Sequence, residues 1–483
     1  MSERLRRRLR EHVALTVVFV LSRIGLALAG VRLNFELAWM FLADPGDLEN
    51  RLSETLLYFH AYPPGMNLVT GLVLKAGGSH AALLGELLYG SLGLVLVNSL
   101  FFGLRVLAIS ERVAFAVAIV FSLTPPVIYL EHLWLWEEFV AALLAFAAAL
   151  FYRALKRPSF GGWLGFFSAC SAVGWFRSSF QLSWLIALLG LALWLSLRAE
   201  RRRVLLAAAG PLALLLALHL KNWALFGVFG ASSAGGGNLT HVTVSRLPRE
   251  TREAWVRSGK ISPLAAHSVY AGPSEYLAFF DPKEARRFPE VSVVQALERP
   301  SLRLPNYNHW VFLEVNRRRA EDAFAYLREK PFDYFSTVLD GLRQFFGPTT
   351  RWHPFDKTER SPHHAQRAVL GRYERFFNGA VHRFPFAGVG VYVFLPVGLI
   401  WAAGWARARV RTRVRERRAR LGLVLFALFQ IAYVTGTSML FTIGESSRYR
   451  YQIEAQIWLL SAFALVGSFS ARQKRKRTAL TAS

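Results

Sequence analysis

Four short stretches of this chain place chemically capable side chains among apolar ones. The first, NFELAWMFLADPGDLENRLSETLLYFHAYPPGMN, strings Glu36, Asp44, Asp47, Glu49 and Glu54 ahead of His60 and the Pro63-Pro64 pair. The second, TPPVIYLEHLWLWEEFVAALL, holds Glu131, Glu137 and Glu138 among Leu, Trp and Tyr. The third, GWFRSSFQLSW, carries Arg177; the fourth, GESSRYRYQIEA, carries Glu445, Arg448 and Arg450. A partly desolvated carboxylate suits proton abstraction, and arginine suits two-pronged binding of phosphate. Carboxylates at membrane depth are costly unless paired, hydrated or functional. Solvation in a loop accounts for Asp47 and Glu49, and less well for Glu131 and Glu137. These last two are separated by about 600° of helical rotation, so one continuous helix would not put them on a common face.

The elements that carry these residues follow from composition. The 483 residues are 53% hydrophobic before 36 glycines are counted, and only 19% are charged, against ~25% in ordinary soluble domains. That excludes a soluble enzyme, and 14 Trp, 15 Tyr and 38 Phe exclude disorder. A single cysteine, Cys170, excludes an intramolecular disulfide and a Cys-based zinc site. No HExxH or CxxC is present, and Gly235-Gly236-Gly237 lacks the Lys-Ser/Thr of a phosphate-binding loop. Apolar runs near the ~20 residues that cross a bilayer lie at about 12–31, 83–104, 112–130, 133–152, 161–178, 180–197, 204–220, 386–406, 421–441 and 453–470. The expectation is an all-α polytopic membrane protein of about ten transmembrane helices (range 9–13). The first run has no small-residue cleavage site and is read as an anchor. The shorter run 64–76 is read as re-entrant or interfacial.

Charge orients the bundle. With an inside N-terminus, the pieces 1–11, 105–112, 153–157, 198–203, 407–420 and 471–483 hold 27 Lys/Arg. With the 64–76 run and its Lys75 set aside, the short outer connections hold only Arg32, Arg51, Arg177, Arg448 and Arg450. The positive-inside rule therefore places both termini in the cytoplasm of a cell membrane protein. It also reads the net charge of +26 as topology and anionic-lipid contact, not nucleic-acid binding. Three regions follow: an N-terminal membrane module (1–220), a mixed soluble lobe on the outer face (221–385), and a C-terminal membrane module with a basic tail (386–483). Within the lobe, about 312–330 reads as an amphipathic helix, and PFDYFSTVLDGLRQFFGP suits the membrane interface.

An acidic first outer loop closed by H-x-x-P-P, followed by an apolar run and a glycine, resembles the GT-C superfamily of membrane glycosyltransferases. It is closest to the branch of protein O-mannosyltransferases and the aminoarabinose transferases that modify lipid A. Pro125-Pro126 followed by Glu131 and Glu137 is similar to that family's second acidic site. Arg177 at a span end looks like its lipid-phosphate contact, and GESSRYRYQIEA resembles its Arg-rich approach to a late span. The resemblance covers 12–220 and 421–470. It departs where many relatives carry a pair of acids just after the first span, since only Glu36 stands there.

The resemblance implies transfer of a sugar from a polyprenyl-phosphate donor to an acceptor hydroxyl or amine on the outer face. Asp44 is then the first choice of general base, with Glu36 in reserve. Glu131 and Glu137 would orient the acceptor or help hold a divalent metal ion. Arg177, Arg448 and Arg450 would bind the donor phosphate, unless they only snorkel to lipid headgroups. Lys221 is either a further phosphate contact or a snorkelling lysine. His60 binds phosphate or metal, or simply hydrogen-bonds at its turn. Two other classes stay open: an O-antigen-type ligase or polymerase, and a lipid-linked-sugar transporter or flippase.

Overall fold

The computed structural model describes residues 3–347, 372, 395–409 and 414–481. The end of the 221–385 lobe and the start of the 386–406 run lie outside the described residues.

Each apolar run is helical where described. Five helical runs are long and apolar enough to cross a membrane: Leu9–Leu28, Gly65–Val106, Trp136–Lys156, Arg198–Phe226 and Arg415–Phe441. Glu111–Ser122 and Pro125–Glu131 add a sixth if the pair counts as one span, bent by 54°. The bend comes from Pro125-Pro126. Proline lacks the N–H a helix interior needs and pushes the preceding residue out of the helical region, and Thr124 is extended at φ −66, ψ 147. Leu182–Leu195 and Glu454–Gly467 are shorter apolar helices. These long apolar helices make the chain a membrane-embedded, helical protein, with Leu21, Leu28, Leu87, Leu206, Trp223 and Ile400 among the large apolar side chains on its outside.

The 64–76 run, expected to be re-entrant or interfacial, is joined to the apolar run that follows it. Its helix, Gly65–Gly77, is followed through a 3-10 turn by Ala81–Val106. The join is Gly78, whose φ of +48 is open to glycine. The most enclosed helix is Trp136–Lys156, 72% buried over its apolar window. It packs against Phe160–Phe176, Ala81–Val106 and Arg415–Phe441, so the second acidic stretch enters the centre of the bundle.

The lobe, expected to be mixed, has almost no sheet among the described residues: helices and short 3-10 turns are joined by irregular backbone. Its sheet there is a two-residue antiparallel ladder, Glu298–Arg299 with Leu304–Pro305. The amphipathic segment forms Val311–Glu329, and Pro331–Phe345 follows it. Gly235-Gly236-Gly237 opens the helix Gly235–Val242, which packs on Val311–Glu329. A Cβ at Gly236 would overlap the Asn316 carbonyl, so the glycines serve close helix packing. A second apolar core joins Leu48, Phe59 and Ala61 of the first loop to Phe226 and to lobe residues Tyr276, Val294, Trp310 and Val315. Loop and lobe are therefore one packed body.

Candidate functional site

The first loop holds two short helices, Pro45–Asn50 and Leu52–Tyr58, between stretches of irregular backbone whose polar groups are satisfied by side chains from elsewhere. Arg299 donates to the carbonyls of Leu37, Ala38, Trp39 and Leu42. Asn67 accepts from the Ala43 N–H and donates to the Phe41 carbonyl. The Asn308 amide oxygen accepts from the N–H groups of His60 and Ala61. A buried backbone group left without a partner would cost stability. The chain has spent several conspicuous polar residues on preventing that.

Three expected site residues belong to this scaffold. Asp44 caps the helix Pro45–Asn50: its carboxylate accepts from the Gly46 N–H at 2.9 Å and from the Ser301 N–H and hydroxyl, both at 2.7 Å. Lys221 donates to the Phe59 carbonyl at 2.6 Å. His60 is fully buried, 2.9 Å from the Ser233 hydroxyl and packed on Phe226. Burial, and then the charge of Lys221, pull its imidazole down to about 3, which keeps it neutral and poorly suited to hold phosphate. Glu36 turns back to accept from the Ala38 N–H at 2.7 Å.

Glu131 and Glu137 part company at the break between their helices. Asn34 pairs with Leu133 across it, accepting from the Trp134 N–H and donating to the His132 carbonyl. Glu131 forms a two-pronged pair with Arg23 of the first helix, 2.5 Å at the closest. Gly93 makes room for that carboxylate, since a Cβ there would lie 3.0 Å from it. Glu138 takes the Tyr451 hydroxyl at 2.5 Å. Glu137 turns to the other side.

There, one oxygen of the fully buried Glu137 carries a compact arrangement. It accepts from the Trp136 indole at 2.8 Å and from Arg177 at 2.9 Å, and Arg448 forms an ion pair with it at 3.1 Å. Arg177 lies over the rings of Tyr449 and Trp136, 3.8 and 4.9 Å from their centroids. Burial alone would lower the Arg448 guanidinium; the carboxylates of Glu137 and Glu445 outweigh it and hold it raised. Both arginines are therefore oriented by the carboxylate they share. Two cations share one buried anion.

Both also line a cavity of about 950 Å³ between the helix ends, the first loop and the lobe. Its floor includes Trp39, Phe41, Trp136, Arg177 and Arg448, and its lobe side includes Asn238, His241, Tyr270, Tyr307 and Asn316. The space is of the size and mixed polarity that accept small molecules. Glu445 is the only carboxylate among the described residues that line it. Residues from the first loop, the second acidic stretch, the end of Phe160–Phe176 and the last turn thus meet on one cavity, while Asp44, Glu36, Glu131, His60 and Lys221 are not part of its wall.

Arg450 is a further departure from expectation. It donates to the carbonyls of Phe345 and Gly347, with Glu454 at 3.4 Å, and so anchors the end of the Pro331–Phe345 helix. Arg32 pairs with Glu86, and Arg51 with Asp47 and Glu54. Of the five arginines expected in the outer connections, Arg177 and Arg448 are the two at the cavity. Among the described residues no three of His, Cys, Asp and Glu gather, and Glu131 and Glu137, expected to orient the acceptor or help hold a divalent ion, are each paired with arginine. Sequence reading passed over Arg23, and it counted Glu445 among the outer acids without giving it a role. An arginine inside an apolar run signals a buried partner; Glu445 carried no signal beyond its neighbours.

No protein-family model matches the chain, and no characterised protein matches it in sequence.

Proposed function

We propose that this protein is a membrane glycosyltransferase that moves a sugar from a polyprenyl-phosphate donor to an acceptor on the outer face of the membrane. The reading takes the helices as a bundle of about ten crossings of GT-C type, with cytoplasmic termini and the lobe outside. The observation that carries it is the Arg177–Glu137–Arg448 arrangement at the cavity wall. A departing lipid phosphate gains negative charge as its bond to the sugar breaks, and fixed cations at that point lower the barrier. Glu137 holds the two guanidinium groups in place, so little reorganisation is needed when charge develops.

The remaining wall suits a sugar and its acceptor. Tyr62, Tyr270 and Tyr307 offer apolar ring faces with polar tips, and Asn238 and Asn316 offer amides. The exposed face of the Pro331–Phe345 helix, with Phe332 and Phe335 outward beside Leu440 and Phe441, suits the headgroup region. That would bring the cavity to the level of a lipid phosphate. An O-antigen-type ligase would likewise take its sugar from a lipid-linked donor, but would release a prenyl diphosphate. The Arg23–Glu131 pair within the helices is the feature that favours a transporter. Proteoliposomes supplied with a prenyl-phosphate sugar separate these readings. Transfer with release of prenyl phosphate supports the proposal, and movement of the intact donor across the bilayer without release refutes it.

A further inference from the structure

Among the described residues, four arginines stand in the cavity wall: Arg177 and Arg448 share the Glu137 carboxylate, while Arg299 and Arg319 donate to backbone carbonyls. None of the four acids that the resemblance makes catalytic lines it. Asp44 accepts three hydrogen bonds as a helix cap, Glu36 closes a turn, and Glu131 is paired with Arg23. Glu138 is fully buried under the Tyr451 hydroxyl. Glu137 is fully buried beneath the two arginines.

Glu445 differs from all of these. Gly444, in the left-handed region at φ +88, turns the chain just before it. Glu445 then stands at the N-cap of Ser446–Tyr451 without using its side chain as the cap. The carboxylate lines the cavity and pairs with Arg448 at 2.6 Å, and its side chain is 34% exposed against 7% for Arg448. It is also felt across the cavity: burial first and the Glu445 charge second push the Tyr270 hydroxyl up to about 12, and the same two causes raise Tyr62.

Resting on the glycosyltransferase reading, we propose that Glu445 is the general base of the transfer, and that its ion pair with Arg448 couples deprotonation of the acceptor to stabilisation of the leaving phosphate. In the resting site Arg177 and Arg448 are balanced by Glu137 and Glu445. As the acceptor oxygen attacks the anomeric carbon, Glu445 takes its proton and becomes neutral. The bond from that carbon to the phosphate oxygen breaks, and its electron pair leaves with the polyprenyl phosphate. Loss of the Glu445 charge leaves one uncompensated positive charge on the arginine pair as the phosphate becomes more negative. The proton gained on one side of Arg448 thus frees it to act on the other.

The test uses full-length protein in proteoliposomes with synthetic prenyl-phosphate hexose and pentose donors and a cell-envelope extract as acceptor. Release of prenyl phosphate gives turnover, and retention of unglycosylated prenyl phosphate gives affinity. Glu445→Gln is expected to lower kcat by ~10²–10⁴-fold while prenyl phosphate binds as well as to wild type or better. Glu445→Ala is expected to regain part of its turnover in added formate. A Gln variant with wild-type kcat, or one that loses phosphate affinity with kcat at saturation intact, overturns the base and leaves Glu445 as a tether for Arg448. Failure of the underlying reading looks different: wild-type protein then neither retains prenyl phosphate nor releases it.

Discussion

The Nε of Arg448 lies 3.1 Å from the Glu137 carboxylate, joining the short helix Ser446–Tyr451 to the second acidic stretch at the centre of the bundle. Arg177 reaches the same oxygen at 2.9 Å. Breaking a buried ion pair by removing one partner costs about 3–5 kcal/mol, because the other charge stays buried without compensation. Glu137→Gln strands Arg177 and leaves Arg448 to Glu445 alone. Its solubilised form is expected to unfold at a clearly lower temperature than wild type, with Glu137→Asp in between; an unchanged Tm for the Gln variant would contradict this packing.

His60 makes the junction between first loop and lobe sensitive to acid. Its folded pKa is pulled down to about 3, from 6.5, and burial pulls His309 down to about 4. Both are neutral in the folded state, so their contribution is complete above about pH 6.5. It is lost as pH falls below that, by up to about 1.4 kcal/mol per pH unit for each proton taken up on unfolding. Thermal unfolding between pH 7.5 and 4.5 should show a fall in Tm that His60→Gln makes shallower. An equal slope for both proteins would remove His60 from the account.

Gly236 is expected to tolerate no side chain. A Cβ there overlaps the Asn316 carbonyl of the facing helix, and backbone cannot swing aside as a side chain can. Gly236→Ala should cost about 1–3 kcal/mol and speed proteolysis within the lobe. Gly235→Ala, which meets nothing within 4 Å, is the control. Equal digestion of the two variants would mean that the helices are not so closely packed.

Much of the helix order was legible because a run of apolar residues near bilayer length has few alternatives to a helix. The break at Pro125-Pro126 was not anticipated within a run read as one span, although proline chemistry announces it. Among the candidate site residues, spacing and fold had to be combined. Arg448 and Arg450 sit two apart on a short helix, about 200° around its axis. One therefore faces Glu137 and the other the end of Pro331–Phe345. The sequence shows two equivalent arginines; only the packed helix separates them. Asp44 was readable as a cap, since Asp followed by Pro at the first helical position is a helix-start signature. Its partner Ser301 lies in the lobe hairpin, beyond the reach of local pattern. Glu445 became visible only once the lobe and the last turn closed a cavity around it.

The central claim is that Arg177 and Arg448 together hold a lipid phosphate. Its most direct test is equilibrium binding of a long-chain polyprenyl phosphate to protein in nanodiscs, for wild type, Arg177→Ala, Arg448→Ala, Arg448→Lys and Arg450→Lys. A charge-assisted hydrogen bond is worth ~1.5–3 kcal/mol, so each Ala variant at the cavity should lose roughly ten- to a hundredfold in affinity. Arg448→Lys should recover part of that, since it keeps the charge without the two-pronged geometry, and Arg450→Lys should bind as wild type does. Equal affinity for wild type and both Ala variants would contradict the claim.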